Sequence, residues 1–360
     1  MLSPSPNNAL VFDAISYRYD KEWVLKSLFL NIGAGEIVCL LGPSGCGKTT
    51  ALRIAAGLEV PSTGSVWVHN QIVAGDGQFV QPENRHVGLV FQDYALFPHL
   101  TVAGNIDFSL NGFDIKNKTA VIDQILADVG MLSYRDSYPN ALSGGQQQRI
   151  ALARVLVRKP QLILMDEPFS GLDARLRDKI RDQTLHVLKQ NGVATLMVTH
   201  DAEEAMYMAD RIIVMNAGTL MQTGTPEELY YQPINPFVAA FLGDVNQFEA
   251  IYHAGGFDTI IGRIESHQKF NAGQAVDILI RPEAIMLDPS DNQEERPGHA
   301  RVMTTRFLGR HSLIHLAAQD NTNTMVHIHA LISGRYLPAV GSMQKITLDM
   351  KQVFIFAKEA

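Results

Sequence analysis

Eight residues near the start of the chain constrain its fold more than any other feature of the sequence. They match the pattern G-x-x-x-x-G-K-[ST] and read Gly42, Pro43, Ser44, Gly45, Cys46, Gly47, Lys48 and Thr49. A predicted buried strand, residues 35–41, comes directly before them, and a helical pattern comes directly after. In this context the pattern is a phosphate-binding loop between a parallel strand and a helix. The sequence therefore predicts an α/β fold around a mostly parallel sheet.

Residues 42–49, called the phosphate loop from here on, have the chemistry of an anion site. The glycines let backbone N–H groups converge on one centre, and the positive end of the following helix dipole adds to them. Lys48 is predicted to pair with the outer phosphates of a nucleotide, and the Thr49 hydroxyl to ligate Mg²⁺. Thr50, the next residue, completes the predicted contacts with the nucleotide.

A second motif supplies carboxylates. Residues 162–165 are apolar and predict another buried strand, which ends at Asp166 and Glu167. Asp166 is suited to hold Mg²⁺ through water, and Glu167 to orient or deprotonate an attacking water. Together with the phosphate loop, these two acids indicate hydrolysis of a nucleoside triphosphate.

A third motif opens a helix at Ser143, Gly144, Gly145 and Gln146. Ser143 has the position of an N-cap, and the glycines are expected to leave the first helical N–H groups exposed to an anion. The chain thus carries a second helix start suited to phosphate, far in sequence from the first.

With these motifs in this order, the chain resembles the nucleotide-binding subunits of ATP-binding-cassette (ABC) importers. The resemblance implies ATP and Mg²⁺ as cofactors, and catalytic roles for Lys48, Gln92, Glu167 and His200. It implies that Tyr19 stacks on adenine and that Gln92 contacts Mg²⁺ or water. His200 would contact the γ-phosphate, and it precedes Asp201, which has capping-box spacing with Glu204.

The resemblance also implies an assembly. Two copies would pair head to tail, so that the phosphate loop of one copy and the Ser143 helix of the other hold the same ATP. The loop at Asp173 would cross to the partner copy. An integral membrane permease would dock near residues 92–105, and a periplasmic solute-binding protein would act with it indirectly. This places the chain peripherally on the cytoplasmic face of the bacterial inner membrane.

The length of 360 residues suits two domains. Residues 1–241 are predicted to form the nucleotide-binding domain, a P-loop NTPase of ABC type with a helical insertion at about 93–160. Residues 242–360 show strands of period two and predict a small all-β, OB-like barrel domain for regulation or dimerisation. Its His327 and His329 share a strand face, where a metal-sensing site is one alternative to ordinary surface histidines.

Composition excludes several other classes. No apolar stretch is long enough to span a bilayer, and the N-terminus lacks the features of a signal peptide. A net charge of −7 gives no reason to expect nucleic acid as a partner. The two cysteines, Cys39 and Cys46, exclude a disulfide framework.

The solute is not encoded in the nucleotide motifs. Overall resemblance favours the ferric-ion importers of Fbp type, with sulfate, polyamine and sugar importers as alternatives. Cassette ATPases of DNA repair require a long coiled-coil insertion, which is absent here. Ribosome-associated factors ordinarily hold two cassettes in one chain, and many exporters fuse the cassette to membrane helices. A purely nucleotide-gated scaffold would not need Glu167 and His200.

Overall fold

A computed structural model describes residues 7–112, 114–266, 270–290, 297–319 and 325–358. By its internal contacts the chain divides into two compact units, Met1–Pro226 and Glu227–Ala360. None of the described helices is long and apolar enough to cross a membrane.

The first unit alternates strands and helices. Its strands are β1 (Asn8–Tyr19), β2 (Glu22–Gly33), β3 (Ile37–Leu41), β4 (Thr63–Val68), β5 (Gln71–Gly75), β6 (Gln78–Phe79), β7 (Val87–Val90), β8 (Leu162–Asp166), β9 (Ala194–Thr199), β10 (Arg211–Asn216) and β11 (Thr219–Gly224). Its helices are α1 (Lys48–Ala56), α2 (Val102–Ser109), α3 (Lys118–Asp128), α4 (Gly144–Leu156), α5 (Ala174–Asn191) and α6 (Ala202–Met208). Helix α7 (Pro226–Tyr231) begins at the boundary between the two units.

The central sheet has the order β11-β10-β3-β9-β8-β7. Every neighbouring pair from β10 to β7 is parallel, and β11 pairs antiparallel at one edge. Strands β3 and β9 are buried at every position, as their continuous apolar sequences predict. The predicted α/β class with a mainly parallel sheet is confirmed.

A second sheet, β2-β1-β4-β5-β6, is antiparallel. Its inner face shares one apolar core with α1 and the central sheet, and the alternating burial of β2 shows that its other face is exposed. Three helices, α2, α3 and α4, lie between β7 and β8 in the chain, which confirms the predicted helical insertion.

Arg85 is a buried cation that joins these layers. Its guanidinium donates four hydrogen bonds to backbone carbonyls, and its ring partner is Phe79, 5.1 Å from the guanidinium carbon. The acceptors are Val80 (2.9 Å), Ile54 (2.8 Å), Ala55 (3.0 Å) and Val73 (3.1 Å). Since Ile54 and Ala55 end α1, Arg85 satisfies the last carbonyls of the helix that carries the phosphate loop.

We expect Arg85→Met to lower the free energy of unfolding of the first unit by about 3–5 kcal/mol, because four buried carbonyls lose their donor. Urea denaturation followed by circular dichroism measures the change. Arg85→Lys is the matched control: it keeps the charge, but one ammonium cannot replace the guanidinium fork, so its loss should be intermediate. An unchanged midpoint for Arg85→Met would contradict this role.

The second unit contains helix α8 (Pro236–Leu242) and ten strands among the residues described there. The strands are β12 (Asn246–His253), β13 (Gly256–Thr259), β14 (Gly262–Glu265), β15 (Ala275–Ile280), β16 (Ile285–Pro289), β17 (His299–Phe307), β18 (His311–Gln319), β19 (Met325–Ser333), β20 (Met343–Leu348) and β21 (Val353–Ala357).

These strands form two five-stranded antiparallel sheets around one core, in the orders β14-β13-β12-β15-β21 and β16-β20-β17-β18-β19. The predicted all-β domain is confirmed, and β19 also lies beside β16, so the second sheet curls toward its own first strand. The Asn246 side chain pairs with both backbone groups of His329 on β19, at 2.9 and 2.7 Å. Residues 289–297 are polar and bounded by Pro289 and Pro297, a composition that predicts a loop, and 291–296 lie outside the described residues.

The contacts place the boundary earlier than the predicted position at residue 241. Helix α8 packs Ala239 against Leu279 and Phe354 of the β domain. Arg281, fully buried, donates to the Gly243 carbonyl at 2.6 Å and stacks over Tyr230 at 4.3 Å. These contacts bind residues 227–241 to the second unit.

His327 and His329 share the exposed face of β19, as predicted. His315 on β18 lies directly opposite His329, with ring centroids 4.6 Å apart. In the described part of the chain, no group of three or more histidine, cysteine or acidic residues is arranged to hold a metal.

Candidate active site

The predicted site residues follow four neighbouring parallel strands. Leu41 at the end of β3 pairs with Thr199 at the end of β9, and Asp166 at the end of β8 pairs with Val198. Strand β7 lies next to β8 with the same direction. The phosphate loop, Glu167, His200 and Gln92 therefore all leave the sheet at one edge, where ligands bind in open parallel sheets.

Two of the three glycines of the phosphate loop, Gly42 and Gly47, are required by its close packing. At Gly42 a Cβ atom would lie 2.4 Å from the Met215 carbonyl oxygen. Gly47 has φ +100°, and a Cβ there would lie 2.7 Å from Leu25 Cδ2. Helix α1 begins at Lys48 without a side-chain cap, so its first N–H groups face the loop rather than a capping residue.

Lys48 is turned toward its own loop. Its ammonium donates to the carbonyl oxygens of Gly42 at 2.8 Å and Pro43 at 2.9 Å, and its third contact is Cys46 Sγ at 3.9 Å. A thiol is a weak acceptor, so the third donor is the one that a phosphate oxygen would take over. Cys46 itself is only 4% exposed, and burial raises the pKa of its thiol.

The candidate Mg²⁺ ligands meet across the site. The Thr49 hydroxyl donates to Asp166 Oδ1 at 3.2 Å, which joins the start of α1 to the end of β8. A hydroxyl and a carboxylate suit Mg²⁺, which commonly takes one or two protein oxygens together with phosphate and water. Burial raises the pKa of Asp166, and the neighbouring Glu167 adds to this, while the bond from Thr49 opposes it. A cation at this position would stabilise the ionised carboxylate.

Because burial raises the pKa of Asp166, its charged form destabilises the folded protein when no cation is bound. A carboxyl whose folded pKa lies above its unfolded value favours folding when protonated, and this contribution is lost as pH rises through the folded pKa. At pH 7 the charged Asp166 thus opposes folding. We expect Asp166→Asn to raise the Tm of the magnesium-free protein by about 1–3 °C, because the amide keeps the Thr49 bond without the charge. Below pH 4 the difference should vanish; calorimetry that finds it unchanged there would contradict the assignment.

Glu167 is held in an unfavourable backbone conformation. Its φ is +40°, in the left-handed region that favours glycine, and its N–H donates to the Val198 carbonyl at 3.0 Å. Strained backbone of this kind persists at functional sites where the surrounding structure fixes it. Its Oε1 lies 3.0 Å from His200 Nδ1, so the predicted base and the predicted γ-phosphate contact touch each other.

The turn that carries His200 is fixed by a buried acid. Thr199, one residue earlier, donates to Glu204 Oε2 at 2.7 Å and accepts from the Asp201 N–H at 3.1 Å. Asp201 caps α6, as predicted, whereas the Glu204 side chain accepts from Thr199 instead of completing a capping box. Sequence spacing gave no signal for this contact.

Gln92 is linked to the loop that follows Glu167. Its amide donates to Ser170 Oγ at 3.3 Å, and that hydroxyl donates to the Glu167 carbonyl at 3.0 Å. Gln92 follows β7, so it leaves the sheet at the edge where Thr49 and Asp166 meet, and there its side chain bonds to Ser170. Arg154 of α4, which the sequence analysis missed, donates at 2.6 and 3.0 Å to two carbonyls of the turn after Gln92.

The start of α4 is capped as predicted. Ser143 Oγ accepts from the Gln146 N–H, and Gln146 Oε1 accepts from the Ser143 N–H at 2.8 Å, forming a capping box. Gly145 is not exposed: it is buried, and a Cβ there would lie 2.7 Å from Ile180 Cδ1. The lack of a side chain at Gly145 therefore allows α4 to approach α5 closely.

The remaining predicted residues lie at element ends. Asp173 caps α5 by accepting from the Leu176 N–H at 3.0 Å. Tyr19 ends β1 and is 44% exposed.

Fold and site together define an ATPase of the P-loop class with the ABC arrangement of motifs. An ABC transporter model matches residues 25–170, and a TOBE domain model matches residues 278–356. The chain belongs to the ABC import ATP-binding proteins with a C-terminal TOBE domain, which are ATPases coupled to transport.

The relatives differ in solute. The sulfate/thiosulfate import ATP-binding protein CysA 2 of Chromobacterium violaceum is 43% identical over 82% of this chain and 80% of its own length. The Fe(3+) ions import ATP-binding protein FbpC of Escherichia coli K12 is 39% identical over 78% and 80%. Proteins named for spermidine/putrescine and for trehalose/maltose import match at 40% and 47% identity. A solved structure, cbiO1 of Clostridium perfringens, part of the transporter complex cbiONQ, aligns with TM-score 0.58 and 28% identity over 62% of this chain and 90% of its own.

Proposed function

We propose that two copies of this chain bind ATP with Mg²⁺ between them and that hydrolysis drives solute import through a separate membrane permease. The observation that carries the proposal is the group formed by Thr49, Asp166, Glu167 and His200 at one edge of the parallel sheet. It joins candidate metal ligands to a candidate base, which is the combination that phosphoryl transfer to water needs.

Each residue has a defined part in this reaction. The phosphate loop and Lys48 bind the β- and γ-phosphates. Mg²⁺, when bound, neutralises developing charge on the phosphates, and Thr49, Asp166 and Gln92 would hold it. Glu167 accepts a proton from the attacking water, and His200 orients the Glu167 carboxylate through the 3.0 Å contact while it contacts the γ-phosphate.

The argument for a site shared by two copies starts from the two helix N-termini suited to phosphate, those of α1 and α4. Lys48 opens α1 and bonds to carbonyls of the phosphate loop, whereas Ser143 caps α4 and bonds to Gln146. Ser143 is exposed, so the start of α4 is accessible to a second molecule. We infer a head-to-tail homodimer in which the loop containing Asp173 crosses to the partner copy.

A large cavity in the first unit suits the permease. Its volume is about 830 Å³, and it lies between β7, α2 and α4. Phe91, Phe97 and Phe108 line it together with Arg154, whose guanidinium lies 5.8 Å from the Phe97 ring centroid. The lining combines these aromatic rings with charged and polar side chains, among them Glu83 and Lys159, and a recess of this mixed character fits a short amphipathic helix of a partner protein. Because Arg154 also holds the turn after Gln92, occupation of the cavity is coupled to the active site.

The proposed solute is ferric iron, delivered by a periplasmic binding protein, with the chain on the cytoplasmic face of the bacterial inner membrane. The similarity to FbpC supports iron, and the relatives named for sulfate, polyamine and sugar import define the competing solutes.

Uptake by membrane vesicles that contain the complete transporter tests this. Labelled ferric iron, sulfate, spermidine and maltose are supplied with their binding proteins, and the Lys48→Ala chain serves as the control for ATP dependence. ATP-dependent uptake of iron alone supports the proposal. Uptake of another solute would overturn the solute and leave the import function intact; ATP-independent uptake of all would overturn the function.

A further inference from the structure

Glu59 is a carboxylate that none of the steps above uses. It follows the C-terminal end of α1, the helix whose N-terminal end carries Lys48. Its two oxygens accept from two tyrosines of β1: the Tyr17 hydroxyl donates to Oε2 at 2.6 Å, and the Tyr19 hydroxyl to Oε1 at 3.4 Å. One side chain therefore binds both phenols.

The two rings form an aromatic corner. Tyr17 and Tyr19 lie two residues apart near the end of β1, and both hydroxyls reach the same carboxylate, so the two side chains lie on the same side of the strand. Their centroids are 4.9 Å apart at an interplanar angle of 81°, an edge-to-face contact. Tyr17 is 9% exposed and belongs to the core, whereas Tyr19 is 44% exposed. The exposed ring is thus fixed at its edge by a core residue and at its hydroxyl by Glu59.

The segment that contains Glu59 is held at both ends by backbone hydrogen bonds. The Leu58 N–H donates to the Arg53 carbonyl of α1 at 2.9 Å, and the Ser62 N–H donates to the Ser16 carbonyl of β1 at 2.8 Å. A helix of nine residues is about 13 Å long. The structure thus sets a fixed spacing between the phosphate loop at one end of α1 and the tyrosine corner near the other.

We propose that Glu59 is a positioning residue for the base of the nucleotide: it orients the Tyr19 ring on which adenine stacks. This rests on the proposed nucleotide function of Tyr19. Without Glu59 the Tyr19 hydroxyl loses its hydrogen-bond acceptor, and the ring is more mobile in the free protein. Stacking of adenine must then order the Tyr19 ring, which makes binding less favourable. ATP binding should weaken about three- to tenfold, with the phosphate contacts unchanged.

Calorimetric titration of the full chain with MgATP and with magnesium tripolyphosphate tests the proposal, since only ATP carries a base. Glu59→Ala and Tyr17→Phe should both weaken ATP binding and leave tripolyphosphate binding within about twofold. Glu22→Gln is the control for charge, because Glu22 is exposed and lies directly opposite Tyr19 in the β1–β2 pair. It removes the same charge near the nucleotide and should not weaken ATP binding. Loss of negative charge alone acts in the opposite direction, toward tighter binding of an anion.

In a Tyr19→Ala background, Glu59→Ala should have no further effect, the result expected when one residue acts only through the other. An equal loss in that background, or an equal loss for tripolyphosphate, would overturn the role of Glu59. If the parent chain binds ATP no more tightly than tripolyphosphate, the assignment of Tyr19 fails and the proposal with it. If the parent chain binds ATP without hydrolysing it, the proposed function fails while the role of Glu59 stands or falls on the titrations.

Discussion

Replacement of Glu167 by glutamine should reduce the rate of ATP hydrolysis at least about 100-fold while MgATP still binds. Glutamine has the same shape and can keep the contact with His200, but it cannot accept a proton from water. The strained φ of Glu167 does not depend on its charge, so the fold is retained. Steady-state phosphate release and size-exclusion chromatography measure the change. ATP-bound dimers should accumulate, because the step that separates the two copies is blocked.

Glu203→Gln is the matched control for this experiment. Glu203 is exposed in the first turn of α6, three residues after His200, and loses the same charge. It should hydrolyse ATP at close to the parental rate. Near-normal hydrolysis by Glu167→Gln would remove Glu167 from the role of base.

Activity should return when two inactive variants, Lys48→Ala and Ser143→Arg, are mixed. Each variant alone damages both sites of its homodimer. In a mixed dimer both defects fall in one composite site, and the other site combines an intact phosphate loop with an intact Ser143 helix. With random exchange and independent sites, about a quarter of the parental hydrolysis rate is expected.

The control for the mixing experiment is Lys48→Ala combined with the double variant Lys48→Ala/Ser143→Arg, which can form no intact site. It should stay inactive. Because Ser143 caps α4, circular dichroism should first show that Ser143→Arg is folded, since losing a cap costs about 1 kcal/mol. No recovery in the first mixture, with both variants folded and exchanging, would contradict the head-to-tail site.

The main architecture was predictable because the local signals agreed with one another. The buried strands at β3, β8 and β9, the phosphate loop and the acids after β8 each required a parallel sheet with loops at one edge. Period-two alternation in residues 242–360 likewise predicted an all-β second domain, and ten strands lie in the described part of the second unit. These signals lie within short stretches of sequence, where periodicity and turn chemistry suffice.

Contacts between distant segments were not predictable in the same way. Arg85 reads as a surface charge, yet it is buried under carbonyls from α1 and β5. Gly145 reads as part of a helix start, and its close approach to Ile180 on α5 is not written in that motif. No sequence pattern predicts that Glu204 bonds to Thr199 or that Glu59 bonds to Tyr17. In each case the partner is set by tertiary packing, which a single sequence does not record.

The central claim is that each ATP is bound by two polypeptides, and a crystal structure of the Glu167→Gln chain with MgATP tests it most directly. We expect Lys48 of one copy and Ser143 of the other to contact the same γ-phosphate. A structure in which all contacts to that phosphate come from a single copy would contradict the account.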